Sequence, residues 1–493
     1  MNPNIIVTVV NAINNINGTA AFEDNSALLQ INKNAINSGK VTIKKDAKLK
    51  RLDYIYWSSP VIGQNLKAFS PGTLDSRFYL YDEFSDYFVS VASPSTTTFQ
   101  KGTGYGIRAS NALSTTPTTF NGIFSGVPNN GDISVNLSKL GNGYNLVGNP
   151  YPSDLNLDQL YADNSDDITG TFYFWTNINP NPAMQGSNYP TFGYYNNYAV
   201  YNLSGGTPAA SAAICNQNCV ANSPTPTNYV KPGQGFIIQA KGVNKALDFN
   251  NNQIYYSNSA PFFNNYRIAN INNDRFWVQL ISPLKLVNTI LIAYKKGSSK
   301  DFEENFDAKL LVESPDSFYS KLQTDKFTIQ GRGYPFDTHD KIELGASFYQ
   351  NGSYTISIAN KEGVFENGQS IYLYDKKLGI YTDIQKEDYV FDAQQGEDSS
   401  RFEIVYQPKS NLTTHNVNSE KVKIYENQDN LVIESDKIFN RVVVYDVTGK
   451  LLKSIESGNK NSLLIEKSQL SRGIYLINII FADKIVNKKI SFK

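Results

Sequence analysis

Tyr54-Ile-Tyr-Trp57-Ser-Ser-Pro60, then Phe78-Tyr-Leu-Tyr81, then Lys101-Gly-Thr-Gly104-Tyr105-Gly-Ile-Arg-Ala109 form one ordered set of motifs. The same order returns as Tyr144-Asn-Leu-Val-Gly-Asn149-Pro150, Phe172-Tyr-Phe-Trp175 and Lys231-Pro-Gly-Gln-Gly235-Phe236-Ile-Ile-Gln-Ala240. Short apolar and aromatic runs bounded by turn residues read as strands. The proline-led turns at Pro60 and Pro150 end them. Gly-x-Gly before an aromatic places flexible backbone where a chain enters a sheet through a tight turn or bulge. A phosphate loop would instead require a helix opening at the second glycine and a Lys-Ser or Lys-Thr pair, which neither copy has. The second copy is longer between its proline and its Gly-x-Gly, and the loop with Cys215 and Cys219 lies in that interval. Two related β units, packed together from about residue 20 to 262, are the expected arrangement.

Outward from that repeat, the chain of 493 residues is long enough for several cores. Aromatic residues make up 13%, with 32 Tyr and 28 Phe, amid many Asn, Ser, Thr and Gly. That is the composition of short strands joined by turns. The fold class expected is therefore all-β: tandem β-sandwich or jelly-roll-like domains ending in a small immunoglobulin-like sandwich. Residues 1–262 read as the duplicated β-rich domain. Residues 263–407, with strands such as Arg275–Leu280, Thr289–Tyr294 and Arg401–Tyr406, read as a β-sandwich. Residues 408–420 read as a polar linker carrying His415, and 421–493 as the terminal sandwich. The helical candidates are few: Asp301–Leu311, with acids first and a lysine near its end, and a single turn at Asp158–Ala162.

Lys plus Arg and Asp plus Glu both number 45, so no net field draws the molecule to nucleic acid or anionic lipid. No membrane-spanning segment and no signal peptide is legible. Cys215 and Cys219 sit in one polar loop. Zinc would need two further ligands, and His339 and His415 are far away in sequence, so a local disulfide in an oxidising compartment is expected.

Val442-Val-Val-Tyr445-Asp446-Val-Thr448-Gly449-Lys450 is a strand and Thr-Gly turn, Leu470-Ser-Arg-Gly473-Ile474-Tyr475 opens another strand, and Lys488-Lys489-Ile490 lies in the last. The ordered Tyr-Asp-x-x-Gly-Lys, Leu-x-x-Gly-x-Tyr and Lys-Lys-Ile motifs resemble the C-terminal sorting domains, type A-like, of type IX secretion substrates. The opening Val422-Lys-Ile-Tyr425 departs from the Pro-Asn-Pro that many such domains carry. The resemblance implies export across the outer membrane to the cell surface or medium. It makes Tyr445, Asp446, Gly449, Lys450, Gly473, Tyr475, Lys488, Lys489 and Ile490 the sorting signal. It implies an outer-membrane translocon and a β-barrel shuttle protein as partners. The Trp57-Ser-Ser-Pro60 and Gly148-Asn-Pro-Tyr-Pro152 pattern also resembles large adhesin-like or gliding-associated surface proteins.

Catalytic chemistry is hard to assemble from this sequence. There is no Gly-x-Ser-x-Gly elbow and no His-Glu-x-x-His helix, and His339 lies in a turn, so no catalytic residue and no metal ligand is assigned. The adjacent pairs Asp82-Glu83 and Glu303-Glu304 read as solvated surface rather than a glycosidase pair. No cofactor is expected. Asp163-Asn-Ser-Asp166-Asp167 is the one loop that calcium would suit, but it lacks the glycine and terminal glutamate of an EF-hand. A surface glycan is the small-molecule partner that exposed aromatics would fit, with Tyr194-Tyr195 and Tyr198–Tyr201 the loop candidates. Trp175 and Trp277 are expected in cores. A non-enzymatic adhesin-like or gliding-associated cargo is the leading reading. The alternatives are a secreted glycan-binding or glycan-degrading protein and an accessory factor for export of another surface protein.

Overall fold

The computed structural model describes residues 3–14, 20–177, 198–215, 219–255, 274–311, 313, 316–408, 422–427, 429–446, 450–470, 473–482 and 485–492. Strands dominate them. The α-helices are short, Leu66–Phe69 and Leu157–Asp163, so the protein is all-β, with β-sandwich-like packing. No helix among the described residues is long and apolar enough to cross a membrane.

The repeated motifs build one plan twice. Tyr54–Trp57, Tyr105–Arg108, Phe78–Asp82 and Tyr87–Ser90 form a sheet in that order, and Tyr144–Gly148, Gly235–Gln239, Phe172–Trp175 and Tyr198–Asn202 occupy the same places in a second. Flanking strands correspond as well: Val41–Leu49 pairs with Thr118–Pro128, and Ile133–Leu137 pairs with Lys245–Phe249. Each unit also carries its helix after an Asn-Leu step. The Asn65 side chain accepts from Ala68 N and that of Asn156 from Asp158 and Gln159 N, satisfying donors that a helix start leaves unpaired. The expected turn at Asp158–Ala162 is thus part of the second helix. The extra length of the second unit falls in two connections, 176–197 and 203–234.

The two units meet through the same contacts made twice. Trp57 bridges Gln234 while Val147 bridges Thr103. Ser58 N donates to Gly233 O at 2.8 Å, and Gly148 N donates to Gly102 O at 3.0 Å. When the motifs are aligned, each pair is one bond and its counterpart. Glycine permits this approach: a Cβ on Gly104 would lie 2.7 Å from Leu146 Cγ and Val147 O, and one on Gly235 would lie 2.8 Å from Tyr56 Cβ.

Strand alternation then sorts side chains between cores. Trp57, Phe78, Tyr105 and Ile107 enter one core, and Phe172, Phe174, Phe236 and Ile238 enter another. Their neighbours in sequence, among them Tyr56, Tyr173 and Ile237, face the opposite way and meet Trp277, Leu291 and Ile329 in a third cluster. Burying each such large side chain contributes about 1.5–3 kcal/mol, so the shared cluster welds the repeats to the strands that begin at Asp274.

Those strands belong to a 13-stranded sheet. Residues 274–405 supply most of it, and it encloses a core containing Phe276, Ile292, Phe391 and Phe402. The hairpin Ser211–Cys215 and Cys219–Ala221 is lent to it from the preceding unit, with Ser211 opposite Val287. Cys215 and Cys219 are cross-strand neighbours there, and Cys219 is disulfide-bonded. The expected helix at Asp301–Leu311 does not form; turns lead into the short strand Ala308–Lys309. Asp307 takes hydrogen bonds from Glu303 N at 2.6 Å and Gly331 N at 2.8 Å, so side-chain bonding to the backbone displaces the helical ladder.

Residues 422–492 have their own core, including Leu431, Ile433, Val442, Val444 and Ile477. A three-stranded sheet of Lys423–Glu426, Asn430–Glu434 and Ser462–Glu466 is joined by a four-stranded one of Leu451–Glu456, Arg441–Asp446, Gly473–Ile480 and Ile485–Phe492. The linker expected at 408–420, with His415, lies outside the described residues apart from Pro408.

Candidate functional site

Where the outer faces of the two repeats converge they leave a cleft of about 690 Å³, within the size range of small-ligand sites. Tyr54, Tyr79, Tyr81 and Phe88 line it from the first repeat. Tyr144, Trp175 and Tyr198 line it from the second, over a floor that includes buried Tyr56 and Ile237. Arg77, Asp86, Asn142 and Gln239 supply its charged and amide groups. Two strands explain the arrangement. In Phe78-Tyr-Leu-Tyr81, Phe78 enters the core while Tyr79 and Tyr81 share the other face, and Phe172-Tyr-Phe-Trp175 splits in the same way.

The rings are locked against one another. Tyr56 stacks on Phe88 with centroids 5.5 Å apart, and Trp175 meets Tyr198 edge-on at 5.3 Å. The hydroxyls of Tyr56 and Tyr198 lie 2.7 Å apart, Arg77 donates to Tyr79 Oη at 2.9 Å, and Tyr81 donates to Asp86. Asn177 clamps the wall: its Oδ1 accepts from Tyr54 N at 3.0 Å and from Trp175 Nε1 at 3.3 Å. Burial pushes the Tyr54 hydroxyl, which also feels Tyr79, up to about 12, and burial pushes that of Tyr198 to about 12 as well. Burial also raises Tyr56 well above its ordinary value, with Tyr198 adding to the effect. These phenols are therefore neutral hydrogen-bonding groups at ordinary pH.

The cleft has matched halves. By motif and by cross-strand register, Tyr54 corresponds to Tyr144, Tyr81 to Trp175 and Phe88 to Tyr198. The repeat thus presents nearly the same aromatic surface from both sides.

Sequence reasoning reached this site only in part. Tyr198 lines it, whereas Tyr201 is buried and donates to Asp158, and Tyr194 and Tyr195 lie outside the described residues. Trp277 is buried as expected, but Trp175 is only half-buried and forms part of the cleft wall. The missed signal was in the strands themselves: Tyr-Ile-Tyr-Trp and Phe-Tyr-Phe-Trp have no polar face, so both sides need apolar company.

The remaining candidates lie away from the cleft. Glu83 is buried, not solvated. Its carboxylate accepts from Ser138 Oγ at 2.8 Å, Leu140 N at 2.7 Å and Gly141 N at 2.9 Å, fastening the first repeat to the second. Asp163 accepts from Gln159, Asn250 and Gln253, and Asp167 pairs with Lys245 at 3.1 Å. Among the described residues no group of three or more potential ligands could hold a metal ion. His339 is an exposed turn residue beside Asp337.

The terminal motifs, far apart in sequence, fall into adjacent cross-strand rows. Asp446 lies opposite Tyr475, and Tyr475 opposite Ile490; Tyr445 lies opposite Leu476, and Leu476 opposite Lys489; Ile477 faces Lys488. Asp446 Oδ1 also accepts from Lys450 N at 3.0 Å, closing the hairpin. Tyr475 is buried and Gly473, Lys450, Lys488 and Lys489 are exposed, while Gly449 lies outside the described residues. Among the described residues Ile485–Phe492 is the sheet's edge, paired with Gly473–Ile480 alone.

Comparison with known proteins gives families but no activity. A domain of unknown function, DUF8693, matches residues 1–406, and a second, DUF8694, matches residues 411–492. No curated protein matches. Among solved structures, similarity is found to PorZ, described as an essential bacterial surface component of the type-IX secretion system of Porphyromonas gingivalis. It is 14% identical over 31% of this chain and 21% of that one, with a TM-score of 0.14. The chain thus spans about a fifth of that protein's length.

Proposed function

For a chain that belongs to the family of the domain of unknown function DUF8693, we propose a non-enzymatic, adhesin-like or gliding-associated role at the cell surface or in the medium. Export runs through the type IX route, directed by residues 421–493. The observation that carries this reading is the convergence of the three terminal motifs onto neighbouring strands of one sheet, in a unit with its own core. The last strand is an edge, which offers a translocon or shuttle protein either backbone pairing or its exposed lysine side chains. A binding role is favoured over glycan cleavage because Asp86 is the one carboxylate lining the cleft among the described residues, whereas glycosidases employ a pair. No cofactor enters this reading.

The test is a fusion of residues 420–493 to a periplasmic reporter in a type IX-competent bacterium. The reporter is expected outside the cell, and a Lys488→Glu, Lys489→Glu fusion is expected to stay in the envelope, while Lys437→Glu exports normally. Retention of the unaltered fusion overturns the proposal.

A further inference from the structure

We infer that the aromatic cleft between the repeats binds a short neutral oligosaccharide; this deepens the surface-binding reading above and rests on it. Sugar rings offer apolar C–H faces and a rim of hydroxyls, so a site for them needs flat aromatic surfaces edged by donors and acceptors. The cleft has both. Trp175 and Tyr79 contribute half-buried rings, and Tyr87, 57% exposed, stands at its margin. Beside them, among the described residues, are neutral tyrosine hydroxyls, the amides of Asn142 and Gln239, and one group of each charge, Arg77 and Asp86.

The charge balance selects among sugars. Arg77 is engaged by Tyr79, and Asp86 accepts from Tyr81, so among the described residues the lining carries no excess cation to recognise a uronate or sulfate. Aromatic grooves also bind proline-rich peptides. Here, however, aromatic surface comes from matched positions of both repeats, and so do the polar groups, Arg77 and Asp86 from the first and Asn142 and Gln239 from the second. That arrangement suits a ligand with two similar apolar faces and hydroxyls on every side, as in successive sugar units.

The experiment uses the full chain and soluble neutral hexasaccharides of gluco, manno, galacto and xylo configuration, with uronate- and sialic-acid-bearing oligosaccharides and a proline-rich peptide alongside. Calorimetry is expected to show saturable binding of at least one neutral hexasaccharide, accompanied by a change in tryptophan fluorescence, since Trp175 lies in the cleft wall. Trp175→Leu should weaken that binding about tenfold, consistent with loss of a stacking partner. Trp175→Phe should keep it within a few-fold, and Tyr255→Ala, an exposed ring stacked on Tyr229 and not among the cleft's lining residues, should leave it unchanged. Circular dichroism and the melting transition establish that each variant is folded. Binding confined to acidic sugars or to the peptide overturns the inference. So does the absence of any neutral binder, or equal binding by Trp175→Leu. Because the assay uses purified protein, its result is separate from success or failure of export.

Discussion

Asp154 and Lys231, the residue that leads into the second Gly-x-Gly, are held 2.9 Å apart with both side chains only 2% exposed. Removing Lys231 strips the buried Asp154 carboxylate of a cation at hydrogen-bond distance and leaves it facing Lys45, and loss of one partner of a buried pair costs about 3–5 kcal/mol. Lys231→Met is therefore expected to lower the urea midpoint sharply. The double variant Asp154→Leu, Lys231→Met should recover much of the loss, because two apolar groups replace two desolvated ions. A double variant no better than Lys231→Met alone would contradict this account.

Glu83 gives a pH-dependent version of the same argument. Burial tends to raise its pKa, but donors from Gly143, Ser138, Leu140 and Gly141 prevail and hold it below the ordinary glutamate value. A carboxyl whose folded pKa is lowered stabilises the fold above its unfolded value, about 4.3, and loses that contribution as pH falls through the folded one. Denaturation at neutral pH should show Glu83→Gln less stable than the parent. The gap should shrink below about pH 4; a constant gap would rule out this role for the charge.

Gly104→Ala and Gly235→Ala should each destabilise the protein by about 1–3 kcal/mol, since their added Cβ meets the neighbouring repeat. Gly242→Ala serves as control, because its Cβ would find only Lys245 Cε at 3.9 Å. Melting temperatures compare the three. Equal effects at all positions would mean that the close approach between repeats is not what requires glycine.

The cysteine hairpin predicts a labelling pattern. If Cys215 is the partner of Cys219, the native chain takes up no iodoacetamide after denaturation without reductant and two equivalents after reduction, one for each of its 2 cysteines. Intact mass spectrometry reads both states. Labelling of the unreduced chain would exclude the pairing.

The repeat was legible because its strands are short, aromatic and punctuated by proline and Gly-x-Gly, which survive as local patterns. Its contact logic was not, since Trp57 and Gln234 are bridged across the two units and no local pattern encodes that register. Phe78 and Tyr79 show the same limit within one strand: both are aromatic, yet one fills a core and the other lines the cleft. At Asp301–Leu311 helical charge placement was outweighed by Asp307, whose acceptors are committed to Glu303 and Gly331. The terminal motifs could be read in order, whereas their alignment across Asp446, Tyr475 and Ile490 emerges only from pairing.

Two copies of one plan joined through reciprocal bonds amount to a homodimer whose protomers share a peptide chain. Such an assembly cannot dissociate on dilution, because its tether fixes the effective concentration of each half for the other. Under the export proposed above, where the protein's own concentration outside the cell would fall without limit, that linkage keeps the composite surface intact.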